Sequence, residues 1–129
     1  MLKHTITYTD YNGVQRTEDF WFNLSKAEIM EMEMGTTGSF AEMLNKIIAA
    51  QDAPAIIAVF KDLILKAYGE KSADGKRFIK SKEISTAFAQ TEAYSQLFME
   101  LATSAEKGSA FVNGIVPSDM AKPNVQALN

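Results

Sequence analysis

The sequence predicts a mainly α fold with a small N-terminal β-hairpin, an α+β arrangement in which the hairpin packs on a bundle of about five to six helices. Three observations predict it. Apolar and polar residues alternate with period two over residues 2–24, whereas from residue 25 onward apolar residues recur at helical spacing. Serine–x–x–glutamate patterns, and an aspartate two residues before a proline, mark helix starts in that second part. The 129 residues are 47% hydrophobic and 22% charged, which suits one domain with its own core and excludes disordered, collagen-like and low-complexity classes. Residues 1–116 are therefore expected to form one compact domain, and residues 117–129, with two prolines and few large apolar groups, a flexible tail.

In the hairpin, Leu2, His4, Ile6 and Tyr8 alternate with Lys3, Thr5, Thr7 and Thr9, and Phe20, Phe22 and Leu24 alternate with Trp21 and Asn23. The turn decides the register. A two-residue Asn-Gly loop would pair Thr5 with Phe20 and Ile6 with Asp19, scattering apolar residues over both faces. A three-residue loop, Tyr11-Asn12-Gly13, pairs Leu2 with Phe22 and His4 with Phe20, and puts Gly13 where the backbone must be left-handed. Such a hairpin is marginal alone, so its apolar face must pack on helices or on a further strand.

Helices follow. Ser25-Lys26-Ala27-Glu28 has the capping-box pattern, and Ser39-Phe40-Ala41-Glu42 repeats it after the break Gly35-Thr36-Thr37-Gly38. Phe40, Met43, Leu44, Ile47 and Ile48 then form an i, i+3, i+4, i+7, i+8 stripe. Asp52 can cap a third helix that tolerates Pro54 in its first turn. Its apolar residues Ile56, Ile57, Val59, Phe60, Leu63, Ile64, Leu65 and Tyr68 cover much of the circumference, which reads as a central buried helix. Gly69 to Lys80 reads as a charged loop with a turn at Asp74-Gly75, pinned to the core by Phe78-Ile79. Ser81 starts a short helix with Ile84, Ala87 and Phe88 inward. Residues 92–104 form the next, with Tyr94, Leu97, Phe98 and Leu101 on one face, and residues 105–113 a last one carrying Ala110 and Phe111.

Charge and composition exclude several function classes. A net charge of −3 gives no electrostatic reason to expect nucleic acid or an acidic membrane as the main partner. Without cysteine there is no disulfide, thiol catalysis, iron–sulfur cluster or zinc ribbon. The N-terminus has neither an apolar h-region nor a small-residue cleavage site, and the most apolar stretch, 53–65, contains Lys61 and Asp62 and is too short to span a bilayer. A soluble, intracellular domain is expected, with the sequon Asn23-Leu24-Ser25 silent.

Candidates for chemistry are few. His4, the only histidine, alternates with apolar residues on a strand and has no carboxylate or nucleophile close in sequence, which favours a structural or surface role over a general base. The stretch from Gly69 to Arg77 resembles a phosphate-binding loop only superficially. It has five residues between its glycines, Arg77 where a serine or threonine should ligate magnesium, and a helix before it instead of a strand. Lys71, Lys76, Arg77, Lys80 and Lys82 read as a solvated connector diluted by Glu70, Asp74 and Glu83. Glu28, Glu31 and Glu33 lack a completed coordination shell, and acids early in a helix are explained by its dipole. No catalytic, cofactor or metal site is expected. Met30, Met32 and Met34 spread over more than one helix face, so core packing and an adaptable protein-binding surface both stay open.

Two segments carry a family resemblance. Leu65 to Lys80 (LKAYGEKSADGKRFIK), and Gln90 to Ala102 (QTEAYSQLFMELA) followed by Phe111 to Pro117 (FVNGIVP), resemble the tail assembly chaperones of bacteriophages with long non-contractile tails, the siphovirus type, from Gram-positive hosts. Phe20 to Glu28 (FWFNLSKAE) also suits that family, so the resemblance covers most of residues 20–117. It implies a non-enzymatic protein that coats the aggregation-prone tape-measure protein, delivers tail tube subunits around it in the host cytoplasm, and is lost from the mature virion. It also implies many copies, hence possible homo-oligomers. In many such phages a ribosomal frameshift adds a second domain that contacts the tube protein, and a short tail after Pro117 would suit the unextended form.

Expected partner contacts under this reading are Met30, Met32, Met34, Phe111, Val112 and Ile115, positions that no motif assigns. Two other classes stay open. A structural tail or neck subunit would remain in the virion. A small nucleic-acid-binding regulator would bind through Lys71–Lys82 with steep salt dependence.

Overall fold

The computed structural model describes residues 1–33 and 40–117. The hairpin forms with the three-residue turn. Strands β1 (Leu2–Thr9) and β2 (Gln15–Phe22) pair antiparallel with Leu2 opposite Phe22 and His4 opposite Phe20. Gly13 takes φ +80°, and its N–H donates to the Asp10 carbonyl at 3.0 Å. The Asp10 carboxylate accepts from the N–H groups of Asn12 and Val14, both at 2.9 Å, and from Arg16 Nε at 2.6 Å. The turn is therefore held by its own first residue.

The sheet is larger than the sequence suggests. After helices α1 (Lys26–Glu33), α2 (Phe40–Ala50) and α3 (Ala53–Ala67), the segment expected to be a charged loop forms strands β3 (Tyr68–Lys71) and β4 (Phe78–Ile79). They extend the sheet to four antiparallel strands in the order β1-β2-β3-β4. β3 joins β2 through Trp21 opposite Gly69 and Phe22 opposite Tyr68, and β4 pairs Phe78 with Lys71. Four residues, Tyr-Gly-Glu-Lys, carry no alternation to read; pairing with β2 makes them a strand. Gly69 is required by space. A Cβ there would lie 2.7 Å from the Phe78 ring and 2.9 Å from the Ile79 carbonyl. The turn at Asp74-Gly75 is present, with Gly75 at φ +74°.

Helices α4 (Lys82–Ala89), α5 (Glu92–Thr103) and α6 (Ala105–Ile115) complete six among the described residues. Ser25 and Glu28 make the expected reciprocal capping box, at 2.8 and 3.1 Å. Asp52, Ser81, Thr91 and Ser104 cap α3 to α6. Ser104 was expected inside a helix, but its extended backbone ends α5 and its hydroxyl accepts from the Lys107 N–H. α6 runs on to Ile115, two residues further than expected. Ala87, expected inward, is exposed. The Gly35–Gly38 break, the Ser39 cap, the Phe40 side chain and residues 118–129 lie outside the described residues.

The core sits between sheet and helices. Phe22, Leu24, Ile29, Phe60, Ile64, Leu97, Val112 and Ile115 are its most enclosed large side chains. Past β2 the chain is tied on both sides, the Asn23 N–H donating to the Ala67 carbonyl at 2.9 Å and the Leu24 N–H to the Ile115 carbonyl at 2.8 Å. Around Phe22 the rings interlock. Tyr68 stacks on Phe88 at 4.1 Å, and Phe111 meets Phe22 edge-on at 5.3 Å. α3 departs from expectation, because only one side of it is enclosed. Phe60, Leu63, Ile64 and Ala67 are buried, while Ile57 is 51% exposed. Its apolar residues exceed what one buried face can use, and the remainder face outward.

Candidate functional site

Several polar side chains pair across elements that lie far apart in the chain. His4 Nε2 lies 3.3 Å from Glu100 Oε1 on α5, a pairing that sequence distance hides and that ties β1 to the helices. Lys80 Nζ donates to the Asn23 carbonyl at 2.7 Å and to Glu28 Oε2 at 2.8 Å. Partial burial alone would raise the Glu28 carboxyl; the Lys80 ammonium and the Ser25 N–H outweigh it and hold the group below its ordinary value. Lys71 Nζ covers the Trp21 ring at 4.0 Å. Among the described residues, no three or more His, Asp or Glu side chains gather where they could hold a metal ion.

The six expected contact residues separate. Met30 is 68% exposed on α1, Met32 is half-buried against the core, and Met34 lies outside the described residues. Phe111, Val112 and Ile115 are buried on the inner side of α6. That placement corrects the expectation for this end of the fold: the three side chains complete the core around Phe22 and Leu24, and a surface partner would not meet them.

The apolar surface lies elsewhere, in a groove of about 360 Å³ between α3 and α5. Ile56, Ile57 and Phe60 line it from α3, and Phe98, Met99 and Leu101 from α5. Ile48 at the end of α2 and Ala105 at the start of α6 complete the surround. Ile57 and Met99, at 51% and 55% exposure, are among the few large apolar side chains left open to solvent. Covering what remains exposed of each would contribute on the order of 1 kcal/mol. No lining residue is charged. The polar ones are Gln51 and Thr103, and the Thr103 hydroxyl donates to the Met99 carbonyl at 2.6 Å within its own helix. Gln51 is the one non-glycine residue with positive φ among those described, at 56°. A left-handed glutamine costs roughly 1 kcal/mol relative to glycine there. Such a lining suits binding by burial and offers no group for proton transfer.

Sequence reasoning missed this groove because a helix apolar around much of its circumference reads as a buried one. The usable signal was the surplus on α3, together with Met99 just outside the apolar face of α5.

The chain matches the model of a protein family described as phage tail assembly chaperone over residues 1–127. No curated protein and no solved structure matches it. A match over nearly the whole length shows the family.

Proposed function

We propose a specific role for this chain, which belongs to the phage tail assembly chaperone family: it binds and shields the tape-measure protein and helps recruit tail tube subunits around it. The role is that of a non-enzymatic binding protein, working in the host cytoplasm of a siphovirus of Gram-positive bacteria and left out of the mature particle. The observation that carries the reading is the uncharged, apolar groove between α3 and α5, with Ile57 and Met99 open at its mouth. A surface of that kind recognises apolar side chains that would otherwise aggregate, and it releases them when a better-fitting partner arrives. Coating a long partner calls for many copies, so self-association on the tape-measure protein belongs to the proposal.

Co-expression with the tape-measure protein, followed by pull-down and size-exclusion chromatography with light scattering, tests it. The expected result is a soluble complex with several copies of this chain per tape-measure protein, and absence of the chain from purified virions. No complex, together with presence in virions, would replace the reading with that of a structural tail subunit.

A further inference from the structure

We infer that two copies of this chain join through their β1 edges, strand to strand and antiparallel about a two-fold axis, into one continuous sheet. The inference rests on the self-association in the reading above and gives it a surface, a partner strand and a register.

The backbone of β1 has one side unused. The Asp10 N–H donates to the Val14 carbonyl at 2.8 Å, so bonded and non-bonded pairs alternate back from that point along the ladder. Leu2, His4, Ile6 and Tyr8 thus direct their N–H and C=O groups to β2. Those of Lys3, Thr5, Thr7 and Thr9 point off the sheet, and no backbone partner meets them among the described residues. β2 has the same phase seen from its other side. Asn23, in step with Trp21, donates away from β1 to the Ala67 carbonyl at 2.9 Å.

The two outer strands of the sheet differ. β4 is two residues long and offers little to template. β1 runs eight residues without proline or bulge and keeps one register with β2 from Leu2 to Thr9. Its solvent-side hydroxyls are engaged across β2: Thr5 donates to the Asp19 carboxylate at 2.6 Å, and the Thr7 and Thr17 hydroxyls meet at 3.0 Å. Neither hydroxyl therefore caps the edge. An edge of this kind takes a strand, because an extended backbone offers donors and acceptors at the same repeat.

The β1 sequence suits its own copy as that strand. With Ile6 on the two-fold axis, Thr5 lies opposite the partner's Thr7 and Lys3 opposite the partner's Thr9. All four outward residues of each copy then pair, giving about eight interchain bonds. Threonine against threonine is a favourable cross-strand pair, His4 meets the partner's Tyr8 on the other face, and no like charges meet. A slide of two residues either way sets Thr9 against the partner's Met1 or Lys3 against the partner's Tyr11, both outside the strand.

The test follows the full chain from about 10 μM to about 1 mM by sedimentation velocity and amide hydrogen exchange, since an edge contact without an apolar core associates weakly. A dimer with Kd on the order of 100 μM is expected. At the highest concentration the amides of Lys3, Thr5, Thr7 and Thr9 should exchange about fivefold more slowly than at the lowest, while those of His4, Ile6 and Tyr8 stay protected throughout. Thr7→Pro removes an outward N–H at a position where an edge strand tolerates proline, and should weaken dimerisation at least about tenfold. Thr9→Glu, facing the partner's Lys3, should tighten the dimer roughly threefold, and Thr9→Lys should weaken it by a similar factor. These two variants decide the matter even if Thr7→Pro fails to fold.

A monomer at the highest concentration, or edge protection that does not change with concentration, overturns the pairing. Growth past the dimer overturns the two-fold arrangement, because only a head-to-tail contact propagates. Equal association of the two Thr9 variants overturns the register. In pull-down, folded Thr7→Pro should still capture the tape-measure protein with fewer copies of this chain on it, and an unchanged copy number overturns the edge as the contact between copies there. No capture even by the unaltered chain would remove the chaperone function and leave the dimer result standing.

Discussion

On the sheet side of the core, Tyr68 and Phe88 stack at 4.1 Å, and Phe20, Phe22, Tyr94 and Phe111 close around them through further ring contacts. On the groove side, Ile56, Ile57 and Phe60 of α3 and Phe98, Met99 and Leu101 of α5 line an opening of about 360 Å³. Both sides are apolar, yet only one is filled. The difference teaches where stability and recognition reside in this chain. Interlocked rings leave no face to offer a partner, while the unfilled side keeps its apolar surface available and contributes less to folding.

The comparison can be broken by substitution. Phe22 is fully enclosed among Tyr68, Phe88 and Phe111, so Phe22→Ala should destabilise by about 3–5 kcal/mol in chemical denaturation, the largest effect expected. A cost below about 1 kcal/mol would show that the ring side is not the source of stability. Gly69→Ala should follow at about 1–3 kcal/mol, because the added methyl meets the Phe78 ring and the rigid Ile79 carbonyl.

A smaller effect is expected at the Lys80–Glu28 pair, which is partly solvated and therefore screened. Glu28→Gln should cost at most about 1 kcal/mol at neutral pH. The folded state holds the Glu28 carboxyl below its ordinary 4.5, so its contribution is present above that value and disappears as pH falls through the lowered one. Wild type and variant should accordingly converge in stability on acidification, which urea titrations at neutral pH and near pH 3 would check. The smallest effect sharpens the contrast: Ile57→Ala on the open side should change stability by no more than about 0.5 kcal/mol. A loss comparable with that of Phe22→Ala would mean that the groove side is packed after all.

Legibility in the sequence followed the range of the interactions. The hairpin register was readable because Gly13 and the alternation of Leu2, His4 and Ile6 act within a few residues of the turn. The Ser25–Glu28 box and the Asp52 and Ser81 caps were readable for the same reason. The second hairpin was not, since Tyr68 and Gly69 become a strand only by meeting Phe22 and Trp21, more than 40 residues earlier. The placement of Phe111, Val112 and Ile115 was missed likewise, because Leu24 and Phe22, which cover them, are distant in the chain.

By itself, then, the sequence determined the fold class, the helix starts, the hairpin register and the absence of cysteine chemistry, all of which follow from local sterics, capping and composition. Tertiary structure alone decided which apolar residues would be enclosed and which left open. Periodicity tells that a residue such as Ile57 is apolar and on a helix, but burial depends on what the rest of the chain brings against that face. On α3 the chain brings enough to cover Phe60 and Ile64, and not enough to cover Ile57.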